Sequence, residues 1–201
     1  MNPILITRFL HKRNGGQCGS MLLELLIAIV VLAIGMGGLL VLLVSAMSTN
    51  NRSGNDTSST MLAEHILEQI SAQPATSSTA LSITDCAGTA WSVSTTGAAN
   101  GSGNSGSYGG NGAQLTSTAT VDWTQDYTGV PTGYKMKYVD CGAAAGQQIT
   151  YDTRWNIVSL NSSNNSSRMI IVSARPSNSG TVGGLRYIVP ANLRTIGGVQ
   201  W

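Results

Sequence analysis

The chain has 201 residues, 42% of them hydrophobic and only 10% charged, with 24 glycines and a formal net charge of +2. That length fits one folded domain with an accessory segment, not two full domains. The positive sign is a poor guide to partners. Arg8, Lys12 and Arg13 all lie within residues 1–19, leaving eight of the eleven basic side chains against nine acidic ones, so overall basicity is no argument for nucleic acid.

Residues 1–19 carry Arg8, His11, Lys12 and Arg13 and no acid. An apolar run follows, interrupted by Glu24, and Leu25–Met47 contains no ionisable side chain. About 20 helical residues rising 1.5 Å each cover the roughly 30 Å of a bilayer core, so this run predicts a membrane-spanning helix. A secretory signal is cut after its apolar region. Here the small residues Gly19 and Ser20 precede that region, and a cut between them removes the basic leader and keeps the helix. A lipoprotein reading of Cys18 fails because the apolar run follows the cysteine. The leader charges hold the N-terminus in the cytoplasm and send the rest across the membrane. Glu24 costs free energy in such a segment, about 2.5–3.5 kcal/mol at a helix centre and less near an end. It therefore needs a use.

At Gly19-Ser20-Met21-Leu22-Leu23-Glu24, and on through Leu25-Leu26-Ile27-Ala28 and Leu32-Ala33-Ile34-Gly35-Met36-Gly37-Gly38-Leu39, the chain resembles type IV prepilins, most closely the PilV-type minor pilins (type IV pilus modification proteins). The resemblance implies Gly19 as the last leader residue and cleavage between Gly19 and Ser20 by the prepilin peptidase, which also methylates the new N-terminus, here Ser20. It implies Glu24 as the family glutamate of assembly. The family's first mature residue is usually Phe or Met, and Ser20 departs from it. The implied fold is α+β and pilin-like: a long N-terminal transmembrane helix packed on an antiparallel β-sheet head. The implied segments are a leader (1–19), the helix (20–72, transmembrane over about 22–47 and then amphipathic) and a periplasmic β-rich head (73–201). The implied partners are other pilins, major and minor, through the N-terminal helix. The implied location is the bacterial inner membrane as a single-pass protein, then a pilus on the cell surface. For Glu24 two readings stand. One is a buried ion pair with the α-amine of Ser20 in the same or an adjoining subunit. The other is a negative charge at the helix start, favoured by the helix dipole by about 0.3–1 kcal/mol.

Beyond Met47, residues 48–60 are polar and alone would read as a loop. Leu62, Ile66 and Ile70 then recur at helical spacing beside Ala63 and Leu67, with Glu64, His65, Glu68 and Gln69 on the other face, and Pro74 ends the pattern. The resemblance joins Ser20–Ser71 into one helix, frayed near Gly54. With Cys18 in the leader, Cys86 and Cys141 remain. In an exported head they read as one disulfide closing a loop of 55 residues, worth about 4 kcal/mol; free thiols and a metal pair are the alternatives.

The head reads as β. Alternation predicts strands over Ala90–Thr95, Leu115–Trp123 and Ile149–Ile157, an apolar strand over Arg168–Arg175, and a shorter one over Leu185–Val189 halted by Pro190. Asn161–Ser167 reads as a turn, and Tyr151–Trp155 followed by Ile170-Ile171-Val172 loosely resembles the closing hairpin of PilV-like heads. Gly97–Gly112 is a Gly/Ser/Asn-rich stretch, expected as a surface loop. Its Gly101-x-Gly103-x-x-Gly106 lacks the following helix that a dinucleotide fingerprint requires.

No motif for catalysis, metal or cofactor appears, and neither an enzyme nor a cofactor is expected. His65 sits on an amphipathic helix. Asp122 and Asp126 lack the dense pattern of a calcium loop. Lys135 and Lys137, alternating with Met136 and flanked by Tyr134 and Tyr138, are the best candidate for nucleic acid, yet read better as strand-edge protection. The expected function is a minor pilin that initiates, assembles or decorates a type IV pilus. The alternatives are a pseudopilin of a type II secretion system and a ligand- or DNA-binding pilus-tip subunit.

Overall fold

A computed structural model of the chain describes residues 18–99, 108–141, 148–160, 167–177 and 189–197, with side chains from Met21 onward. The chain forms two compact units, residues 1–51 and 52–201. One helix, α1 (Cys18–Ser71), contributes to both.

In the first unit every side chain from Met21 to Met47 is exposed. The helix is long and apolar enough to cross a membrane. Exposed apolar surface on this scale is unstable in water and calls for lipid or a protein partner.

In the second unit the polar residues remain helical. Thr57 Oγ1 donates to the Ser53 carbonyl at 2.9 Å, Ser59 Oγ to Asn55 at 2.8 Å and Thr60 Oγ1 to Asp56 at 2.9 Å. These hydroxyls bond back onto the helix instead of competing with it. The helix includes Gly54, where fraying was expected. Ser59, Leu62, Ala63, Ile66 and Ile70 form a buried stripe, the 3–4 spacing of one helix face. The four apolar members share a core with Trp155, Ile157, Ile170 and Val172 of the sheet, so the fold is α+β with a helix packed on a sheet. Complete burial of Ile66 and Ile70 is worth about 1.5–3 kcal/mol each.

A hairpin of β1 (Leu81–Thr84) and β2 (Ala90–Val93) precedes the main sheet. The main sheet is organised on β6 (Gln148–Ser159). Three segments line up along one edge of it. β5 (Lys135–Cys141) pairs with Gln148–Arg154, β4 (Asn111–Gly112) with Asn156 and Ile157, and β3 (Ala98–Ala99) with Val158 and Ser159. β7 (Arg168–Pro176) takes the other edge, and β8 (Ala191–Gly197) pairs with β7. All these pairings are antiparallel except β3–β6.

Several expectations change. Leu115–Trp123 is not a strand: Leu115 and Val121 form an isolated bridge, and the chain turns between them with Ala119 at φ 56°. Alternation there reflects a loop that covers the sheet, burying Leu115, Ala119 and Val121. The Gly/Ser/Asn stretch is not wholly a surface loop. Its described flanks supply β3 and β4, and Gly112, at φ +125°, lies so close to β6 that a Cβ would sit 2.2 Å from the Trp155 carbonyl. The Gly-x-Gly-x-x-Gly segment, residues 185–188 and all but Ser167 of the Asn/Ser turn lie outside the described residues. Val189 is not in a strand; the strand begins after Pro190, at Ala191.

The end of α1 is fixed by Arg168, 1% exposed. Its Nη2 donates to the carbonyls of Ile70 at 2.5 Å and Gln73 at 2.7 Å, and its Nη1 to Thr95 at 2.7 Å. The last carbonyls of a helix lack internal partners and carry its negative dipole end, so a guanidinium is well suited there. Burial lowers the pKa of this group, and three carbonyl acceptors take the place of a carboxylate.

Candidate functional site

Gly19 and Ser20 lie on α1, whose described part starts at Cys18; their side chains lie outside the described residues. Glu24 is exposed and has no hydrogen-bond or ion-pair partner among the described residues.

Cys86 and Cys141 are joined, with Cα atoms 5.8 Å apart. Asp85 holds the turn beside Cys86. Its carboxylate accepts the Thr89 N–H at 2.8 Å and the Trp91 Nε1–H at 3.0 Å. Burial pushes the Asp85 pKa up, but the bonds from Trp91 and from the backbone outweigh it and the net shift is downward. The bridge ties this turn to the end of β5, where the Cys86 N–H also meets the Val139 carbonyl at 3.4 Å.

Lys135 and Lys137 do share a face of β5, but Tyr134 and Tyr138 are not their aromatic partners. Tyr134 packs against Trp155, with ring centroids 6.3 Å apart, and donates to the Thr96 carbonyl at 2.6 Å. The partner is Tyr127, with the Lys135 and Lys137 Nζ atoms 4.8 and 5.0 Å from its ring centre. Register explains the arrangement. Lys135 lies opposite Arg154, and Lys137 opposite Asp152, which in turn lies opposite Arg175. Directly opposed residues project from the same face, so four cations surround Asp152. Arg154 engages Asp152 through Nε at 3.0 Å and Nη2 at 2.8 Å, and donates to the Gln125 carbonyl at 2.6 Å. Trp123 covers Arg154 and Arg175 at 4.6 and 4.1 Å and donates to Ser173 Oγ at 3.1 Å.

This cluster clamps the segment around Trp123 and Tyr127 onto the sheet. Lys135 completes it by donating to the Tyr127 carbonyl at 2.8 Å. Burial first, and then the charge of Asp152, push the Tyr127 phenol up to about 12, so it stays protonated. Much of the positive charge is thus engaged in holding this segment on the sheet. Arg154, Arg175, Trp123 and Tyr127 were not singled out from sequence. The pairing register aligns the two arginines, and the loop over the sheet lays Trp123 and Tyr127 on them.

His65 is exposed on α1. Asp122 accepts from the Thr124 N–H at 2.9 Å and Oγ1–H at 2.7 Å, and these bonds lower its pKa. It is thus engaged in a turn, while Asp126 is exposed. Among the described residues no group of three or more His, Cys, Asp or Glu is placed to hold a metal.

Comparison with protein-family models, curated proteins and solved structures found no match to this chain.

Proposed function

We propose that the chain is a minor pilin: a structural subunit that is cut after Gly19 and enters a type IV pilus through its N-terminal helix. The observation that carries this reading is Glu24, an exposed carboxylate with no described partner in a helix otherwise apolar and exposed through Met47. A lone carboxylate there is costly in lipid and becomes useful when a cation meets it. The α-amine of Ser20, released by cleavage, is the nearest cation the processed helix would gain. Pairing across subunits would make incorporation depend on a correctly cleaved neighbour. The head built on residues 52–71 supports the reading as the exported part of such a subunit.

The test combines N-terminal sequencing of membrane-extracted protein with the Glu24→Gln variant. The expected mature N-terminus is Ser20, carrying a methyl increment by mass. The variant is expected to insert and be cleaved normally yet to be missing from sheared filaments. A different N-terminus, or wild-type incorporation of Glu24→Gln, overturns the reading. Deleting the subunit distinguishes pilus from secretion machine: loss of surface pili is expected, and loss of an exported enzyme alone would reassign the filament.

A further inference from the structure

On the face of the sheet that carries the cation cluster, a groove of about 330 Å³ opens between the Thr118–Thr120 turn and β8. That volume is at the small end of ligand pockets. Its floor is apolar, with Ile171 and Ala119 almost wholly buried. Its walls are polar and their chemistry is asymmetric. On one wall, Thr116 Oγ1 lies 2.9 Å from Thr118 Oγ1 and 2.7 Å from Thr120 Oγ1, which are 3.4 Å from each other. Each hydroxyl can donate one proton and accept on its oxygen, so Thr118 and Thr120 offer a ligand either a donor or an acceptor. On the other wall, Asn192 uses one Nδ2–H on the Pro190 carbonyl at 3.1 Å, which leaves its second Nδ2–H as a donor and its Oδ1 as an acceptor. Arg194 adds a charged donor. It lines the groove, is exposed, and has no hydrogen bond or ion pair among the described residues.

We propose that this groove binds an acidic sugar unit of a glycan. Walls that offer both donors and acceptors suit a ligand that does both, as sugar hydroxyls do. An inorganic oxyanion donates few hydrogen bonds and has no apolar face for the floor. The apolar floor suits the C–H face of a pyranose ring. Arg194 supplies the fork of donors that a carboxylate takes up, so a uronic-acid-type ring engages Arg194 as a neutral sugar does not. The turn that presents the hydroxyls is held in place: Ala119 keeps its left-handed backbone between the Ala119 N–H to Thr116 carbonyl bond at 3.0 Å and the Thr116 N–H to Thr120 carbonyl bond at 2.8 Å. Backbone held in a sparsely populated conformation by its surroundings is a recurrent feature of binding sites. This inference is independent of the filament reading.

The test is titration of the full chain in detergent micelles with methyl β-D-glucuronide, followed by amide chemical shifts. Saturable shifts confined to residues 118–120 and 191–194 are expected. Arg194→Gln should weaken the glucuronide about tenfold and leave the neutral methyl β-D-glucoside unchanged, tenfold being about 1.4 kcal/mol. Thr118→Val, at an exposed position that leaves the fold intact, should weaken both sugars several-fold. Inorganic phosphate and a thymidine oligonucleotide should not displace the glucuronide at equal concentration. Unsaturable shifts, an unaffected Arg194→Gln, or displacement by phosphate or the oligonucleotide would overturn the proposal, the last by reducing the site to a general anion contact.

Discussion

The two halves of α1 belong to one helix but answer to different solvents. From Met21 to Met47 every side chain is exposed, whereas from Ser59 to Ile70 one stripe is buried and the opposite face, with Glu64, His65 and Glu68, is open. The first half is apolar all round and the second is amphipathic, which is the difference between a helix made for lipid or other helices and one made for a single protein surface. Helical propensity does not separate them. The polar residues 48–60 between them stay helical through their own back-bonded hydroxyls.

The contrast is sharpest when the same change is made in each half. Ile66→Asp places a carboxylate in the core of the head and should cost more than about 4 kcal/mol, enough to unfold it. Leu32→Asp should leave thermal unfolding of the head unchanged and instead hinder membrane insertion, by about 3 kcal/mol on the scale for a helix centre. Circular dichroism melts and a membrane-fractionation assay read the two effects; a head destabilised by Leu32→Asp would break the distinction.

Next in size is the covalent tie. Cys86→Ser should destabilise the head by about 4 kcal/mol, from the closure of a 55-residue loop, while the apolar half keeps its helical signal in micelles. Denaturant unfolding with and without reductant checks this, since reduction should make wild type and variant coincide. Arg168→Met keeps the bulk but removes the donors to Ile70, Gln73 and Thr95, and should cost about 3 kcal/mol. Hydrogen exchange should localise the loss to residues 66–73.

Smaller effects lie farther from α1. Ala119→Gly should stabilise the head by about 0.5–1 kcal/mol, because glycine accepts a positive φ that alanine resists, and a rise in the thermal midpoint would show it. Asp85 sets the acid limb. Its folded pKa is depressed, so its contribution is present above the unfolded value of about 3.9 and is lost as pH falls through the lower folded value. Asp85→Asn should flatten stability against pH below about pH 4 and leave the slope above pH 6 unchanged.

Local patterns predicted what local physics decides. The Leu62–Ile66–Ile70 stripe, the core strands β6 and β7, and the Cys86–Cys141 bond were all legible, because burial period and cysteine count report them directly. The failures are instructive. Val-Asp-Trp around Asp122 alternates like a strand but covers one, since a lid over a sheet also puts every second side chain inward. β8 was missed because Ala191-Asn192-Leu193-Arg194 has little β-branched content and Pro190 read as a stop, although proline is acceptable just before a strand. The cation–aromatic cluster depends on Lys137, Asp152 and Arg175 falling in one row across three strands, and no single sequence displays a register. Gly112 is the converse case. A low-complexity glycine looked like slack chain, and the structure uses its missing side chain to reach β6.

The crowding of β3, β4 and β5 along one edge of β6 has a consequence for how the head comes into being. All three lie before β6 in the chain, so a polypeptide delivered N-terminus first has none of its main-sheet contacts until residue 148 has emerged. The first β-hairpin of the main sheet to complete is then β5–β6, the most local of the pairings with β6 that precede it. Ala98 must bridge to Val158 across some sixty residues, a span that raises contact order and slows folding. A nascent chain stopped short of Gln148 would present its partner segments open-edged to proteases and chaperones, and the arrival of a single strand would close them together.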